Sequence, residues 1–230
     1  MNKNLTTLLT SLNLTITDEN LIQNAFVHRS DLNEGKDFEN SNERLEYLGD
    51  AVLELATSHF LYNTYPNFQE GMLTNMRAAL VRTESLGETA LELGFAKLLL
   101  MSKGEEATGG RQNRSILADT FEAFLGAIYL DQGFETCVGI LQEHLFKKAA
   151  VVLAAETYKD NKSLLQEIAQ SRYKSTPQYN LLSESGPDHD KDFVMQVAIA
   201  DKLYGEGHGK SKQTAQEDAA KQTLEMITHY

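Results

Sequence analysis

The sequence predicts an all-α domain over residues 1–155 followed by a small α+β domain over residues 156–230. Three observations carry that division. Apolar residues recur at helical spacing through the first two thirds of the chain, with no period-two alternation before residue 176. The pattern breaks around 154–161, and the remaining residues read as helix, three strands and helix, an α-β-β-β-α order.

Leu5, Leu8, Leu9 and Leu12 mark a first helix, and Leu21, Ile22, Ala25 and Phe26 a second behind an Asp18 cap. A polar, turn-forming stretch over 33–42 leads to a helix whose apolar stripe is Leu45, Leu48, Val52 and Leu55, ended by Tyr65-Pro66-Asn67. Further helices are expected over 73–81, 85–93, 115–130 and 134–153. Past a short linker near 156–160, residues 163–172 form a short helix and 178–183 a strand. Phe193, Met195, Val197 and Ile199 alternate with residues of the other face, as a strand does. Gly205-Glu206-Gly207-His208-Gly209 reads as a glycine-rich turn opening a last helix that holds Ala215, Ala219 and Leu224.

The chain has 230 residues, 41% hydrophobic and 23% charged, which is globular usage rather than the signature of disorder. No apolar run approaches the ~18 residues of a membrane span, and the first residues hold no signal-peptide core. The expectation is a soluble, cytoplasmic protein with no membrane partner. The single cysteine, Cys137, excludes an intramolecular disulfide and any multi-cysteine metal site, and reads as a small buried apolar residue rather than a nucleophile. A net charge of -12 argues at first against a phosphate-rich partner, but the acidic excess sits almost wholly before residue 157.

Glu43, Glu46 and Asp50 are spaced by three and four, so they share one helix face, roughly opposite the leucine stripe. Alone they read as an acidic solvated face, and Glu54, one turn on, as merely solvated. The second cluster is harder to place in water. From Ile116 to Leu130 the helix is apolar almost all round and calls for burial, yet Asp119 and Glu122 lie three apart on the narrow face that also carries Gly126. Burying two such carboxylates costs on the order of several kcal/mol or forces protonation. Salt bridges to Arg111 or Arg114 are one remedy, and a divalent cation is another. Together the clusters make a hard, all-oxygen donor set suited to Mg²⁺ or Mn²⁺, ions that commonly serve phosphate-ester chemistry.

The run Asn42-Glu43-Arg44-Leu45-Glu46-Tyr47-Leu48-Gly49-Asp50-Ala51-Val52-Leu53 closely resembles the signature of the ribonuclease III family. His28-Arg29-Ser30, Glu70-Gly71 and Ser115-Ile116-Leu117-Ala118-Asp119-Thr120-Phe121-Glu122-Ala123 follow the family's order, and the C-terminal part is similar to its double-stranded RNA-binding domain. The resemblance implies an endonuclease domain over 1–155 and a double-stranded RNA-binding domain over 156–230. It implies Glu46, Asp119 and Glu122 as metal ligands, with Asp50 and Glu122 catalytic, Asp50 helping to hold the attacking water and the scissile phosphate. Glu43 and Glu70 match accessory acidic positions. Tyr47 stands where the family often has Phe, packed into the partner subunit of a homodimer. The implied reaction is Mg²⁺-dependent hydrolysis of double-stranded RNA, Mn²⁺ being able to substitute, that leaves 5′-phosphate and 3′-hydroxyl ends with short 3′ overhangs. Processing of ribosomal RNA precursors and other structured transcripts is implied with it.

Duplex RNA is held through shape, 2′-hydroxyls and phosphates. Lys210-Ser211-Lys212-Gln213, at the start of the last helix, can meet phosphates with backbone N–H groups and lysines. The resemblance adds Ser163, Gln166 and Glu167 on the preceding helix, and Pro187-Asp188-His189 in the loop between the first two strands. Asp188, Asp190 and Asp192 make that loop acidic for a phosphate binder. Gly209-Lys210-Ser211 imitates the end of a nucleotide-binding P-loop, but Tyr204 stands where the first glycine is needed. Two rivals remain at this level: a non-catalytic duplex-RNA adaptor, and a phosphohydrolase of small nucleotides, for which an RNA-binding domain has no use.

Overall fold

The computed structural model describes residues 3–33, 38–154, 161–187 and 191–228. The chain divides into two compact units, residues 1–158 and 159–230.

The first unit is helical: α1 (Lys3–Ser11), α2 (Glu19–Asn24), α3 (Glu43–Thr64), α4 (Glu70–Val81), α5 (Thr83–Glu92), α6 (Lys103–Ala107), α7 (Arg114–Gln132), α8 (Phe134–His144) and α9 (Ala149–Ala154). Asp18 caps α2 by accepting from Leu21 N–H at 3.0 Å. The centre is α7, whose Leu117, Phe121, Phe124, Leu125 and Ile128 are fully buried, with α3 and α5 packed along it. Phe95 meets Phe26 and Phe124 edge to face, with ring centroids 5.1 and 5.2 Å apart, a geometry worth about 0.5–1.5 kcal/mol per pair beyond the area buried. Leu61, Met76, Leu80 and Ala149 form a smaller core among α3, α4 and α9. At the far end of α7, Asp131 accepts from Thr17 N–H, Thr17 Oγ1 and Asp18 N–H, which ties down the α1–α2 connection.

Two expectations need correction in this unit, and one helix was not expected. The helix predicted over 134–153 is two, separated by the 3-10 turn Phe146–Lys148, because the chain bends to stack Phe146 on Phe60 with centroids 4.2 Å apart. α6 escapes an apolar-spacing argument because it buries no side chain. On α3 the inward residues are Leu45, Gly49, Val52, Leu53 and Ala56, whereas Leu55 points outward and is 60% exposed.

The second unit is α10 (Asn161–Tyr173), β1 (Gln178–Ser185), β2 (Asp192–Ile199), β3 (Lys202–Gly209) and α11 (Lys212–Thr228), with an antiparallel sheet in the order β1-β2-β3. Met195 stands opposite Leu181 on β1 and Gly207 on β3. Met195, Val197 and Ile199 face a core completed by Leu165, Ala169, Ala215, Ala219 and Leu224. Residues 205–209 are not the expected turn; they belong to β3. Gly205, Gly207 and Gly209 alternate on the face covered by α11, and a Cβ on Gly207 would run into the main chain of Ala219 and Ala215. The glycines thus mark a close strand–helix approach rather than a change of direction. Among the described residues no helix is long and apolar enough to cross a membrane.

Candidate active site

The site forms where α3 crosses α7. Asn42 starts α3 and is buried: its N–H donates to Val27 C=O at 2.9 Å and its Nδ2 to Ala25 C=O at 3.1 Å, which pins the helix to the strand-like segment before His28. Asn113 caps α7, accepting from Ser115 N–H at 2.9 Å. Between these anchored starts the two helices pass at Gly49 and Gly126, where no side chain intervenes.

That crossing gathers three of the sequence-predicted carboxylates. One oxygen each from Glu46, Asp119 and Glu122 lies within 4.8 Å of the others. Glu122 is half-buried, and burial followed by the charges of Asp50, Asp119, Glu46 and Glu54 pushes its carboxyl up to about 8. Glu46 is raised by burial and by Asp119, Glu43 and Asp50, against the opposing pull of Arg29. Asp119 is raised by burial while His28 and Arg29 pull it down. The expectation that both α7 carboxylates are sealed in is corrected, since Asp119 is open to solvent at the mouth of the site.

Neither arginine proposed as a partner serves the cluster. Arg111 is engaged by Glu106 at 2.6 Å and by the Ala96 and Leu99 carbonyls, and Arg114 lies against Gly87 and acts on Glu88. The three carboxylates fit a divalent cation on two counts: the donors are all hard oxygens, and their mutual repulsion and desolvation leave Glu122 holding a proton that such an ion displaces.

The other predicted residues fall at different distances from this centre. Asp50 is exposed and outside the three-oxygen group, although its charge acts on Glu46 and Glu122. Glu43 sits at the rim, accepting from Ser41 Oγ at 2.8 Å and lying 3.9 Å from Arg29 Nη1. Glu70 is not brought to the cluster within one chain; it accepts from Thr74 Oγ1 and lines a groove between α3 and α4 with Leu55, Tyr62 and Leu73. Glu54, expected to be merely solvated, is paired with Arg77 at 2.9 Å. Tyr47 is 83% exposed.

The sequence pattern assigns no role to several residues that share the site. A cavity of about 530 Å³ is lined by His28, Arg29, Glu46, Glu105, Asn113 and Asp119. His28 and Arg29 reach it because Val27 bridges Leu100 in parallel, a long-range pairing that leaves no periodic mark in the sequence.

Residues 18–149 match the family model described as ribonuclease-III-like, and residues 161–227 match the double-stranded RNA binding motif. The chain belongs to the ribonuclease III family. It is 47% identical over 216 residues to the Ribonuclease 3 of Syntrophobacter fumaroxidans, covering 91% of this chain and 89% of that protein. It is 46% identical over 215 residues to the Ribonuclease 3 of Bacillus cereus, covering 93% and 87%. Among solved structures, the nuclease domain of ribonuclease III from Campylobacter jejuni is 39% identical with a TM-score of 0.58, covering 64% of this chain and 97% of that one. Ribonuclease III enzymes depend on a divalent metal, and the Glu46, Asp119 and Glu122 group is where the described residues can hold one.

In the family's second domain, Ser163, Gln166 and Glu167 are exposed on α10, on the face away from buried Leu165 and Ala169. Lys210 and Lys212 flank Ser211, whose hydroxyl accepts from Thr214 N–H at 3.1 Å and caps α11. Lys210 Nζ lies 3.0 Å from Asp192 Oδ1, and Lys212 stands over the Phe193 ring. His189 and Asp188 lie outside the described residues. Only Lys210 and Ser211 separate β3 from α11, too short a connection to cradle a nucleotide's phosphates. Cys137 is buried, its thiol pushed up to about 12 by desolvation, as befits an inert core residue.

Proposed function

We propose that the chain is an endoribonuclease that cuts double-stranded RNA by Mg²⁺-dependent hydrolysis, with Mn²⁺ able to substitute. The observation that carries the reading is the convergence of one oxygen each from Glu46, Asp119 and Glu122 within 4.8 Å of one another, whose burial and mutual repulsion a cation would relieve. In this reading these three carboxylates hold the ion, Asp50 and Glu122 are catalytic, and Glu43 and Glu70 are accessory. A bound divalent ion supplies Lewis-acid polarisation of the phosphoryl oxygen and makes water acidic enough to attack at neutral pH. Glu122, without its proton, would be a full ligand of that ion, and Asp50 would accept a hydrogen bond from the attacking water and orient it toward the phosphorus. The 3′ oxygen leaves, so the ends are 5′-phosphate and 3′-hydroxyl.

Cutting both strands requires two such sites. Tyr47, Leu55 and Tyr62 are exposed on α3, the last two beside the α3–α4 groove, which supports a homodimer with Tyr47 as a contact. Closely placed cuts then leave short 3′ overhangs. Residues 156–230 deliver the duplex through Ser163, Gln166, His189, Lys210 and Lys212, and residues 1–155 cut it. The cellular role that fits is processing of ribosomal RNA precursors and other structured transcripts in the cytoplasm.

Incubation with labelled RNA tests this reading. The expected result is cleavage of a duplex with Mg²⁺, none with a chelator, and none of the separated strands. Tight duplex binding without cleavage under any divalent ion would favour the adaptor instead.

A further inference from the structure

The cavity beside the carboxylates contains an imidazole whose tautomer the surrounding hydrogen bonds decide. Ser102 N–H donates to Ser30 Oγ at 3.0 Å, so the Ser30 hydroxyl proton is available to His28 Nδ1, 2.8 Å away. Ser30 N–H also points at Nδ1, at 3.3 Å. With two donors converging on it, Nδ1 is the acceptor and the ring proton sits on Nε2. Both ends of this relay are fixed. His28 N–H donates to Leu100 C=O at 2.9 Å and Leu100 N–H to Phe26 C=O at 2.8 Å, while the Ser102 hydroxyl caps α6 at Glu105 N–H.

Nε2 has no hydrogen-bond partner among the described residues, and the half-buried ring lines the same cavity as Glu46 and Asp119. Arg29 adds charge to that wall but is exposed and leans toward Glu43 at 3.9 Å, so its direction is not fixed. Resting on the nuclease reading above, we propose that His28 is a substrate-binding residue whose Nε2–H donates to a phosphate oxygen of the RNA strand being cut, beside the metal ligands. A purely structural role is the competing account, in which the ring only links residues 26–30 to 100–102.

Two substitutions separate these accounts. His28→Asn keeps an amide near Nδ1 for Ser30 but ends short of Nε2, whereas His28→Gln carries an amide N–H out to the Nε2 position. In single-turnover cleavage of a labelled duplex by the full chain with Mg²⁺, His28→Asn is expected to be about 10- to 100-fold slower and His28→Gln within about threefold of wild type. Melting temperature and Mn²⁺ affinity should be unchanged in both. Equal rates for His28→Asn and wild type overturn the proposal. So does a loss of Mn²⁺ affinity in His28→Asn, which would make the ring a support for Asp119. A readout that needs no cleavage is the ¹⁵N spectrum of the wild-type histidines: a nucleoside 5′-monophosphate with Mg²⁺ should shift His28 Nε2 and leave Nδ1 in place, and no shift also overturns the proposal. If the wild type cuts no duplex and the shift is present, the nuclease reading fails while the phosphate donor stands.

Discussion

Gly49 on α3 lies against Gly126 on α7, backbone to backbone. A Cβ on Gly49 would collide with the Glu122 carbonyl oxygen, and one on Gly126 with the Leu45 carbonyl oxygen. Glu46 and Glu122 lie one turn from this crossing on their own helices, so its closeness sets the spacing of the proposed metal ligands.

Alanine at either glycine therefore meets two opposing effects. Alanine favours a helix by about 1 kcal/mol over glycine, but overpacking against main chain that cannot rotate away costs about 1–3 kcal/mol. The collision outweighs the propensity. Gly49→Ala and Gly126→Ala are each expected to lower the melting temperature and to weaken Mn²⁺ binding, which calorimetry and titration would check. Undiminished ion affinity would show that the crossing does not control the site.

The carboxyl of Glu122 ties stability to pH. Its ordinary value is 4.5, and in the folded protein it is pushed up to about 8 by burial and by Asp50, Asp119, Glu46 and Glu54. Between those values the folded state holds a proton that the unfolded chain has lost, so metal-free stability should fall as pH rises from 4.5 to about 8. Glu46 and Asp119, also raised, act with the same sign. A divalent ion removes the penalty and releases protons at neutral pH. Melting curves with and without Mg²⁺ across this range should converge at the acid end and separate toward pH 8, and calorimetry in buffers of different ionisation heat should register the release.

In the second unit the proposed phosphate lysine is already held by an acid of its own chain, since Lys210 Nζ is 3.0 Å from Asp192. The pair is exposed and contributes less than about 1 kcal/mol, so an RNA phosphate can displace it. Asp192→Asn is expected to tighten duplex binding by a few fold. Lys210→Ala with Lys212→Ala should weaken it for every sequence and reduce the slope of log affinity against log salt by roughly two. Filter binding over a salt series tests both, and an unchanged slope would remove the lysines from the phosphate contacts.

Each unit has its own buried core, Phe121 and its neighbours in one and Val197 with Ala219 in the other. Residues 1–155 alone are expected to stay folded and dimeric and to cut duplex RNA, most visibly at low salt, where the remaining phosphate contacts are screened least. Residues 156–230 should bind and not cut. A monomer in sedimentation would refute the dimer, and a folded dimer inactive at every salt would give the second domain a part in building the active complex.

Much of this was legible in the sequence because its physics is local. Asp119 and Glu122 stand out on an apolar helix and share a narrow face with Gly126, although the crossing with α3 at that face depends on Gly49, distant in the chain. Val197 and Ile199 announced their strand by alternation. The features that escaped depend on contacts distant in the chain. Glycines 205, 207 and 209 read as a turn, since the α11 backbone that requires them cannot be seen from β3 alone. Leu55 matched the core stripe in spacing, but Leu53 and Ala56 take the inward positions and leave it outside. The Ser102–Ser30–His28 relay joins residues 72 apart through backbone and hydroxyl bonds that have no periodicity.

The most direct measurement is cleavage of a labelled duplex by Glu122→Gln beside the wild type, with Mg²⁺ and at equal RNA occupancy. The substitution preserves shape while removing a proposed charged ligand from the half-buried centre of the group. The expected result is near-complete loss of cleavage with duplex affinity intact. Substantial cleavage by the pure variant would contradict the metal role assigned to Glu122.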